Sequence, residues 1–312
     1  MLVLTELDAD RITAERGKDE FFWLDLFDPS PRELDTLGQL FRLHPVALED
    51  NREFGQRPKV DVYDTHLLIV FYSARMRGED VDPIEVHIYL SGSFAISVRR
   101  SDCEALDALH AELAETPTDD EVYLVYKIMD TLTDAYYPVI EALERRIDAL
   151  EEQVLIRARR AQLPVIYRLR QQLRLLLRIA VGQRDHFMPT ADAVRALPGL
   201  NHGAREYLRD VGDHLAQVAG ELQRQSDDLN ALTGTYFNAN ADRLNAVATR
   251  LTILGTVAVT WTVFAGFFGQ NFGWLVRHIN GPASFFTLGL GLPVGVTALA
   301  GVIMWVKRRD LF

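Results

Sequence analysis

Two carboxylates and one imidazole fall within a single turn of a predicted helix. Asp210, Asp213 and His214 are spaced i, i+3 and i+4, so one helix face can present all three side chains. Carboxylate oxygens together with an imidazole nitrogen can bind Mg²⁺, Zn²⁺ or Co²⁺. The spacing alone is more typical of an ordinary solvated patch beside an apolar seam, and both interpretations stay open.

A stripe of small and polar residues recurs every three or four positions in an apolar stretch nearer the C-terminus. It contains no large side chain, and its members are Asn245, Ala248, Thr252, Gly255, Val259, Thr262, Gly266 and Gly269. In a membrane helix such a stripe either allows close helix packing or lines a water-filled path. Thr249, Thr256 and Thr260 form neighbouring polar rows, so the stripe is not unique, and both uses stay open.

Two stretches of the chain, residues 251–276 and 280–306, contain no charged residue. Each is long enough to cross a hydrocarbon core of about 30 Å at about 1.5 Å per helical residue. Only Arg277 is charged in the connecting loop, whereas the second stretch is followed by Lys307, Arg308 and Arg309. Because basic residues favour the cytoplasmic side, we expect a multi-pass protein of the plasma (inner) membrane with both termini in the cytoplasm.

The net charge, the cysteine count and the absence of catalytic motifs exclude further classes of function. The net charge of -11 argues against nucleic acid as a partner and is compatible with attracting cations. The single cysteine, Cys103, excludes an intrachain disulfide, and the N-terminus lacks the pattern of a signal peptide. No nucleophile–base pair or phosphate-binding loop stands out, so we expect no enzyme, and we interpret His44 and His66 as structural.

The N-terminal third is predicted to be an α/β domain. Short runs rich in Val, Ile, Phe and Tyr predict strands over residues 1–7, 21–27, 60–72, 84–90 and 94–99. Ser30, Pro31 and Glu33 predict a capped helix start, and a second short helix is expected over residues 44–51.

From residue 102 onward the pattern is helical. Residues 101–153 contain fifteen acids and three bases, whereas residues 157–184 contain eight arginines and no acid. Consecutive helices of opposite charge predict an antiparallel hairpin with matched faces, and two independently solvated faces are the alternative. A break is expected near residues 155–163, because Pro164 suits a first helical turn.

A heptad seam follows the hairpin. Only Gln225 interrupts the seam, which consists of Leu208, Val211, Leu215, Val218, Leu222, Leu229, Leu232 and Tyr236. No proline occurs between Pro198 and Pro282, so one helix can extend from residue 203 to residue 268, over about 100 Å. A rod of this length predicts a homo-oligomer with this helix nearest the symmetry axis. A seam packed only against the chain's own helices is the alternative.

These patterns divide the chain into seven predicted segments. They are a cytoplasmic α/β domain (1–100), a cytoplasmic helical hairpin (101–202), a stalk helix (203–250), a first transmembrane helix (251–272), an external loop (273–282), a second transmembrane helix (283–306) and a basic cytoplasmic tail (307–312).

Residues 244–272, which contain Gly269-Gln270-Asn271, resemble the pore helix of CorA-type divalent cation channels, whose first span ends in Gly-Met-Asn. The segments HPVALED (44–50) and QRPKV (56–60) are similar to the cytoplasmic domain of that family. The segment YLRDVGDH (207–214) is similar to the family's stalk, and the tail at 307–309 to its basic end. The resemblance covers nearly the whole chain, with the motifs in the family's order.

The resemblance implies a funnel-shaped homopentamer in the lipid bilayer, with a ring of Gly269, Gln270 and Asn271 at the external mouth. The implied pore lining is Asn245, Ala248, Leu251, Thr252, Gly255, Val259, Thr262 and Gly266. Asp210 matches a regulatory metal-binding aspartate at subunit interfaces. Its partner is expected from the α/β domain of the next subunit, with Asp64 and Asp61 as candidates.

The implied function is transport of divalent cations, with Mg²⁺ first and Co²⁺ or Ni²⁺ as further cargo, gated by cytoplasmic metal and without a covalent cofactor. Two features depart from the family pattern. Gln270 replaces the signature methionine, and the loop after it has no acid but carries Arg277 and His278, which would repel cations. The alternatives are a zinc transporter of the same superfamily and a non-conducting membrane sensor or scaffold.

Overall fold

The structure is a computed structural model that describes residues 2–17, 21–118, 120–195, 197, 204–270, 273–278 and 281–309. The chain forms two compact units, Met1–Tyr236 and Phe237–Phe312. Within the described residues, unit 1 begins with a six-stranded sheet in the order β1-β2-β6-β5-β4-β3. The strands are β1 (Leu2–Leu4), β2 (Phe22–Phe27), β3 (Lys59–Val62), β4 (Leu67–Arg77), β5 (Asp80–Leu90) and β6 (Phe94–Arg99). β2 pairs in parallel with β1 and β6, and the remaining pairs are antiparallel.

Three helices accompany the strands: α1 (Ala9–Arg16), α2 (Pro31–Phe41) and α3 (Pro45–Arg52). The predicted start of α2 is confirmed, since the Ser30 side chain caps the Glu33 amide and the Glu33 carboxylate accepts from the Ser30 amide at 2.7 Å. His44 caps α3 by accepting from the Val46 amide through Nδ1, which agrees with a structural histidine.

The prediction of one strand over residues 60–72 is wrong. β3 ends at Val62 and β4 begins at Leu67, and the two strands pair antiparallel with Val62 opposite Leu67. The intervening residues form a tight turn in which the Tyr63 amide donates to the His66 carbonyl at 2.9 Å. Two polar residues, Asp64 and Thr65, occupy the turn between apolar flanks, so the turn chemistry outweighs the strand propensity of its neighbours.

The helical part of unit 1 contains α4 (Glu104–Glu115), α5 (Glu121–Asp134), α6 (Tyr136–Ile156) and α7 (Gln162–Arg195), and α8 (Ala204–Phe268) starts within it. α6 and α7 form the predicted hairpin, and their buried faces share one apolar cluster. Some charged side chains of the hairpin pair with other elements. Glu144 pairs with Arg224 of α8 at 3.0 Å, and Arg168 pairs with Glu79 at 3.0 Å. Apolar packing joins the two helices, and Arg146 of α6 adds a bond to the Gln172 side chain of α7 at 3.3 Å.

The heptad seam of α8 is buried by the chain itself. Leu208, Val211 and Leu215 pack into the core beneath the sheet, and the seam from Val218 to Tyr236 packs with α6 and α7. Each apolar seam residue is at most 4% exposed in the single chain. The interpretation of the seam as a subunit contact is therefore wrong, and the alternative of packing against the chain's own helices is correct. Oligomer formation must depend on other surfaces.

Gln225, the residue that interrupts the seam, should be replaceable without loss of stability. Its Nε2 donates to the Ile140 carbonyl at 2.8 Å, but its Oε1 is buried without a partner. We expect Gln225→Met to stabilise the protein by about 1 kcal/mol, because a buried amide with an unsatisfied oxygen is replaced by an apolar side chain of similar size. Thermal unfolding in detergent measures this, with the exposed Gln223→Met as the control. A clear loss of stability would show that the hydrogen bond to the Ile140 carbonyl contributes more to the free energy of unfolding than the apolar side chain does.

Unit 2 contains the rest of α8, followed by α9 (Gly273–His278), α10 (Pro282–Ser284), a π-helical segment (Phe285–Gly291) and α11 (Leu292–Arg309). The π-helical segment has a local cause. Pro293 has no amide hydrogen for the carbonyl four residues earlier, and its ring disfavours a regular turn there. The wider turn lets the Leu292 amide bond the Thr287 carbonyl five residues back.

Candidate ion pathway and candidate metal centre

Two helices are long and apolar enough to cross a membrane by length and composition, over Glu206–Phe268 and Pro282–Ile303. In the first helix, none of the most apolar stretch is buried within the chain. In the second helix, only 6% of the most apolar stretch is buried. A core helix of a soluble protein would be covered by its own chain. These stretches instead present apolar side chains such as Leu254 (67% exposed) and Val263 (62% exposed) outward. They require a surrounding of lipid or of other subunits.

The small and polar stripe lies on this uncovered part of α8. All members of the stripe are exposed in the single chain, and so is Leu251, the further residue of the implied pore lining. A Cβ built on Gly255 or Gly266 meets no atom within 4 Å. The stripe is therefore not covered by its own chain and is available either for packing or for lining a path.

The threonines of this helix bond their own backbone. The hydroxyls of Thr252, Thr256 and Thr262 each donate to the carbonyl four residues earlier, at 2.8–2.9 Å. Each hydroxyl hydrogen is thereby used, and the oxygen lone pairs remain available to accept. Within the stripe, Thr252 and Thr262 can accept hydrogen bonds from the water shell of a cation, which presents its hydrogens outward.

The end of α8 depends on a glycine. The Gly269 amide donates to the Ala265 carbonyl at 2.9 Å and the Gln270 amide to the Phe267 carbonyl at 3.3 Å, which turns the chain out of the helix. A Cβ at residue 269 would lie 2.9 Å from the Ala265 oxygen, so any other residue type requires the backbone to shift. Gly269 thus sets the direction of Gln270. Asn271, the third member of the predicted ring, lies outside the described residues.

Unit 1 brings together side chains from α5 and α8. His214 Nδ1 lies 2.9 Å from Asp130 Oδ1 and 3.9 Å from Asp134 Oδ1, and His214 Nε2 lies 3.9 Å from Asp210 Oδ2. One ligand atom each from Asp130, Asp134 and His214 lies within 4.8 Å of the others, a spacing that suits a shared metal ion. We call these four residues the α5–α8 cluster.

The electrostatics of the α5–α8 cluster favour a cation. Burial, with the charge of Asp130 as a further cause, raises the pKa of Asp134 above its ordinary value, so carboxylate repulsion is not fully relieved. A carboxylate can only accept, so His214 Nδ1 carries the proton in its contact with Asp130. A metal ion would take the place of that proton. The donor set of carboxylate oxygens and one imidazole fits Co²⁺ or Zn²⁺, and its oxygens fit Mg²⁺.

Tyr126 orients one side of this cluster. Its hydroxyl donates to Asp210 Oδ2 at 2.9 Å, and burial together with this bond to a carboxylate raises the pKa of Tyr126. Asp210 is therefore held toward α5 of its own chain, although its side chain remains 48% exposed.

The other predicted metal ligands lie apart from the cluster. Asp213 is 69% exposed and lies 3.9 Å from Arg209 on the outer face of α8. Asp61 on β3 pairs with Lys59 at 2.8 Å, and Asp64 is exposed in the following turn. Their predicted contact with Asp210 involves a neighbouring subunit, so it stays a prediction. The basic residues Lys307, Arg308 and Arg309 lie in the last turn of α11.

Sequence analysis missed Asp130 and Asp134. Their i, i+4 spacing on α5 mirrors that of Asp210 and His214 on α8, which is the one signal that could have indicated them. They lie in a segment so rich in acids that the spacing alone carries little information.

The comparison with known proteins decides the family. The sequence profile described as CorA-like Mg²⁺ transporter protein matches residues 18–308, which is nearly the whole chain. The chain belongs to the CorA family. It is 26% identical to the putative metal ion transporter YfjQ of Bacillus subtilis, over 99% of this chain and 95% of that protein. It is 25% identical to the cobalt/magnesium transport protein CorA of Thermotoga maritima, over 88% of this chain and 77% of that protein.

The solved structures agree on the fold. The CorA magnesium transporter of Methanocaldococcus jannaschii superposes with a TM-score of 0.77, at 19% identity, over 92% of this chain and 90% of that chain. The predicted architecture of an α/β domain, a long helix and two C-terminal membrane helices is thereby confirmed. As a member of the CorA superfamily the chain is a divalent cation transporter of the membrane, in a family of transporters rather than enzymes.

Proposed function

We propose that five copies of the chain form a channel for divalent cations, with Mg²⁺ as the principal ion and α8 of each subunit lining the pore. The observation that carries this proposal is the small and polar stripe of α8, uncovered in a chain of the CorA family. Because the cytoplasmic seam is used inside each subunit, the membrane part of α8 is left as a surface for symmetric assembly. Basic residues at the end of α11 support a cytoplasmic C-terminus in the inner membrane.

The pore would pass the cation with much of its water shell. Mg²⁺ sheds water reluctantly, so a ring of neutral amides and carbonyls at residues 269–271 can hold the hydrated ion without a permanent charge that would trap it. Further in, Thr262 and Thr252 supply acceptor oxygens. Leu251 and Val259, 64% and 62% exposed in the single chain, would form apolar rings that gate by excluding water.

Cytoplasmic metal would act on this pore through the α5–α8 cluster. A divalent ion there neutralises carboxylates that otherwise repel each other, and it links α5 to the helix that continues toward the membrane. The ion can favour the closed channel only if it binds that state more tightly. Asp61 or Asp64 of a neighbouring subunit is the proposed further ligand that the closed state would bring to Asp210.

Zinc is the second candidate cargo. The replacement of the signature methionine by Gln270 favours it over a channel restricted to Mg²⁺. Arg277 and His278 are exposed in α9, where they would lower the local concentration of any cation. A comparison of Mg²⁺, Co²⁺, Ni²⁺ and Zn²⁺ fluxes into the same vesicles decides which ion is carried.

The decisive experiment is ion flux into vesicles that contain the purified protein, with Asn271→Ala as the test variant. We expect Asn271→Ala to lower Mg²⁺ flux at least about tenfold while the oligomer remains intact, because a ring of amide carbonyls at the mouth of the pore is lost. Gln270→Met, which restores the family signature, is the control and should retain flux. Absence of flux in the unmodified protein would favour a sensor or scaffold, and an unchanged flux in Asn271→Ala would remove Asn271 from the pore.

A further inference from the structure

The tip of the α6–α7 hairpin exposes apolar side chains that the chain does not cover. Leu155 and Ile156, the last two residues of α6, are 67% and 78% exposed, although the preceding Val154 is fully buried. Uncovered aliphatic residues next to each other on a protein surface commonly mark a contact with a partner or with a membrane.

Three arginines directly follow these residues. Arg157, Arg159 and Arg160 are exposed, and in the described part of the chain no acid pairs with their guanidinium groups. We call residues 155–160 the hairpin tip. It combines an apolar pair with three unpaired positive charges in a protein of net charge -11.

The hairpin tip is held in a fixed conformation. The Gln162 side chain is buried, and its Oε1 accepts from the Arg159 amide at 2.7 Å while its Nε2 donates to the Arg157 carbonyl at 3.3 Å. Backbone bonds from Gln162 to Arg159 and from Leu163 to Arg160 close the same turn. Little conformational entropy is therefore lost when the tip engages a partner.

Contacts within unit 1 place the hairpin tip at one end of that unit. Asp130 lies beside His214 and Ile140 beside Gln225, so residue numbers on α5 and α6 rise together with those on α8. On α7, Arg170 bonds Asn230 and Thr233 at 3.3 and 3.0 Å. Along both α6 and α7, contacts nearer the tip therefore involve α8 residues nearer Tyr236. The tip lies at the end of unit 1 where α8 reaches Tyr236, and α8 continues from there to its uncharged stretch.

We propose that the hairpin tip docks on the anionic phospholipid surface of the membrane that the chain spans. Leu155 and Ile156 enter the headgroup boundary, and Arg157, Arg159 and Arg160 bind lipid phosphates. Apolar residues beside unpaired arginines suit this interface better than an aqueous or a purely apolar one. Docking gives the hairpin a contact with the bilayer that does not involve the transmembrane helices.

The test uses the full-length protein in lipid nanodiscs, with an environment-sensitive fluorophore on Ile156→Cys. Cys103 is buried, so the introduced thiol is the one expected to react, and unmodified protein treated with the dye checks this. In nanodiscs that contain phosphatidylglycerol we expect blue-shifted emission and quenching by nitroxide-labelled lipid. In pure phosphatidylcholine both signals should weaken. A dye on Ala108→Cys, on an exposed face of α4, is the control that should respond to neither lipid.

Charge variants complete the test. Replacing Arg157, Arg159 and Arg160 together by glutamine should lower the docked-to-free ratio about fivefold per arginine and remove the dependence on phosphatidylglycerol. The matched control replaces Arg145, Arg174 and Arg178, which are exposed away from the tip, and should leave the signals unchanged. The proposal is overturned if lipid quenching is absent, or if the dye is equally shielded in detergent, since a neighbouring subunit would then cover the tip. Ion flux is measured separately and does not bear on this result.

Discussion

Replacing Asp130 with asparagine is expected to raise the Mg²⁺ or Co²⁺ concentration that protects the protein from proteolysis by about tenfold or more. Asp130 is the most buried carboxylate of the α5–α8 cluster, at 13% exposure, and it lies 2.9 Å from His214. The amide keeps the shape of the side chain but removes the charge that a divalent ion would bind. The same variant should show flux that is less inhibited by metal on the cytoplasmic side.

Asp213→Asn is the matched control for this experiment. It removes one carboxylate charge from the turn of α8 that carries Asp210 and His214, but the side chain is exposed and its neighbour is Arg209. Equal effects of both variants would mean that metal protects by general charge screening, and the cluster would have no specific site. If Asp210→Ala weakens protection and Asp130→Asn does not, Asp210 binds metal with a neighbouring subunit instead of with α5.

Repeating this experiment with different metal ions tests whether His214 is a ligand. Imidazole is a good ligand for Zn²⁺ and Co²⁺ and a poor one for Mg²⁺. His214→Ala should therefore weaken protection by Co²⁺ or Zn²⁺ more than protection by Mg²⁺. Similar losses for all three ions would indicate that the ring positions the carboxylates without binding the metal.

Gly269→Ala is expected to lower ion flux about tenfold or more, because forced backbone strain costs on the order of 1–3 kcal/mol and a shift of the chain displaces the pore mouth. The added Cβ would lie 2.9 Å from the Ala265 carbonyl oxygen, which belongs to the backbone and cannot rotate away. Residues 270 and 271 must then move with the end of α8. Flux into vesicles and the mass of the oligomer in detergent measure the two consequences separately.

Gly234→Ala is the control for that variant. Gly234 lies on the same helix, and a Cβ there meets no atom within 4 Å, so the substitution should leave flux unchanged and stabilise the helix slightly. If Gly269→Ala transports normally, the end of α8 tolerates displacement and does not set the pore mouth.

Much of the fold could be predicted from local sequence patterns. The capped start of α2 depends on three neighbouring residues, and the membrane helices depend on the absence of charge over continuous stretches. Both signals are local, so they can be recognised without knowing which elements pack against each other. The turn at Tyr63–His66 is also local, but its polar residues lie within a long β-like run that concealed them.

The other errors concern long-range contacts. A heptad period is the same whether the partner helix belongs to the same chain or to another subunit, so the sequence could not assign the partner of the α8 seam. Likewise, Asp130 and His214 are 84 residues apart and meet because α5 packs beside α8. The spacing on α8 indicated a metal-binding face, but the ligands on α5 can be identified only from the fold.

The self-contained seam of α8 also has a consequence for biogenesis. Every element that covers the seam precedes it in the chain, so the core of unit 1 can close as soon as Tyr236 has left the ribosome. The uncharged stretches are synthesised after that point, and domains generally fold as units from the N-terminus during synthesis. Each subunit would then reach the bilayer with its soluble part already folded. Assembly would then begin from monomers whose soluble core is complete, and the surfaces of α8 beyond that core would be buried only when subunits meet in the bilayer.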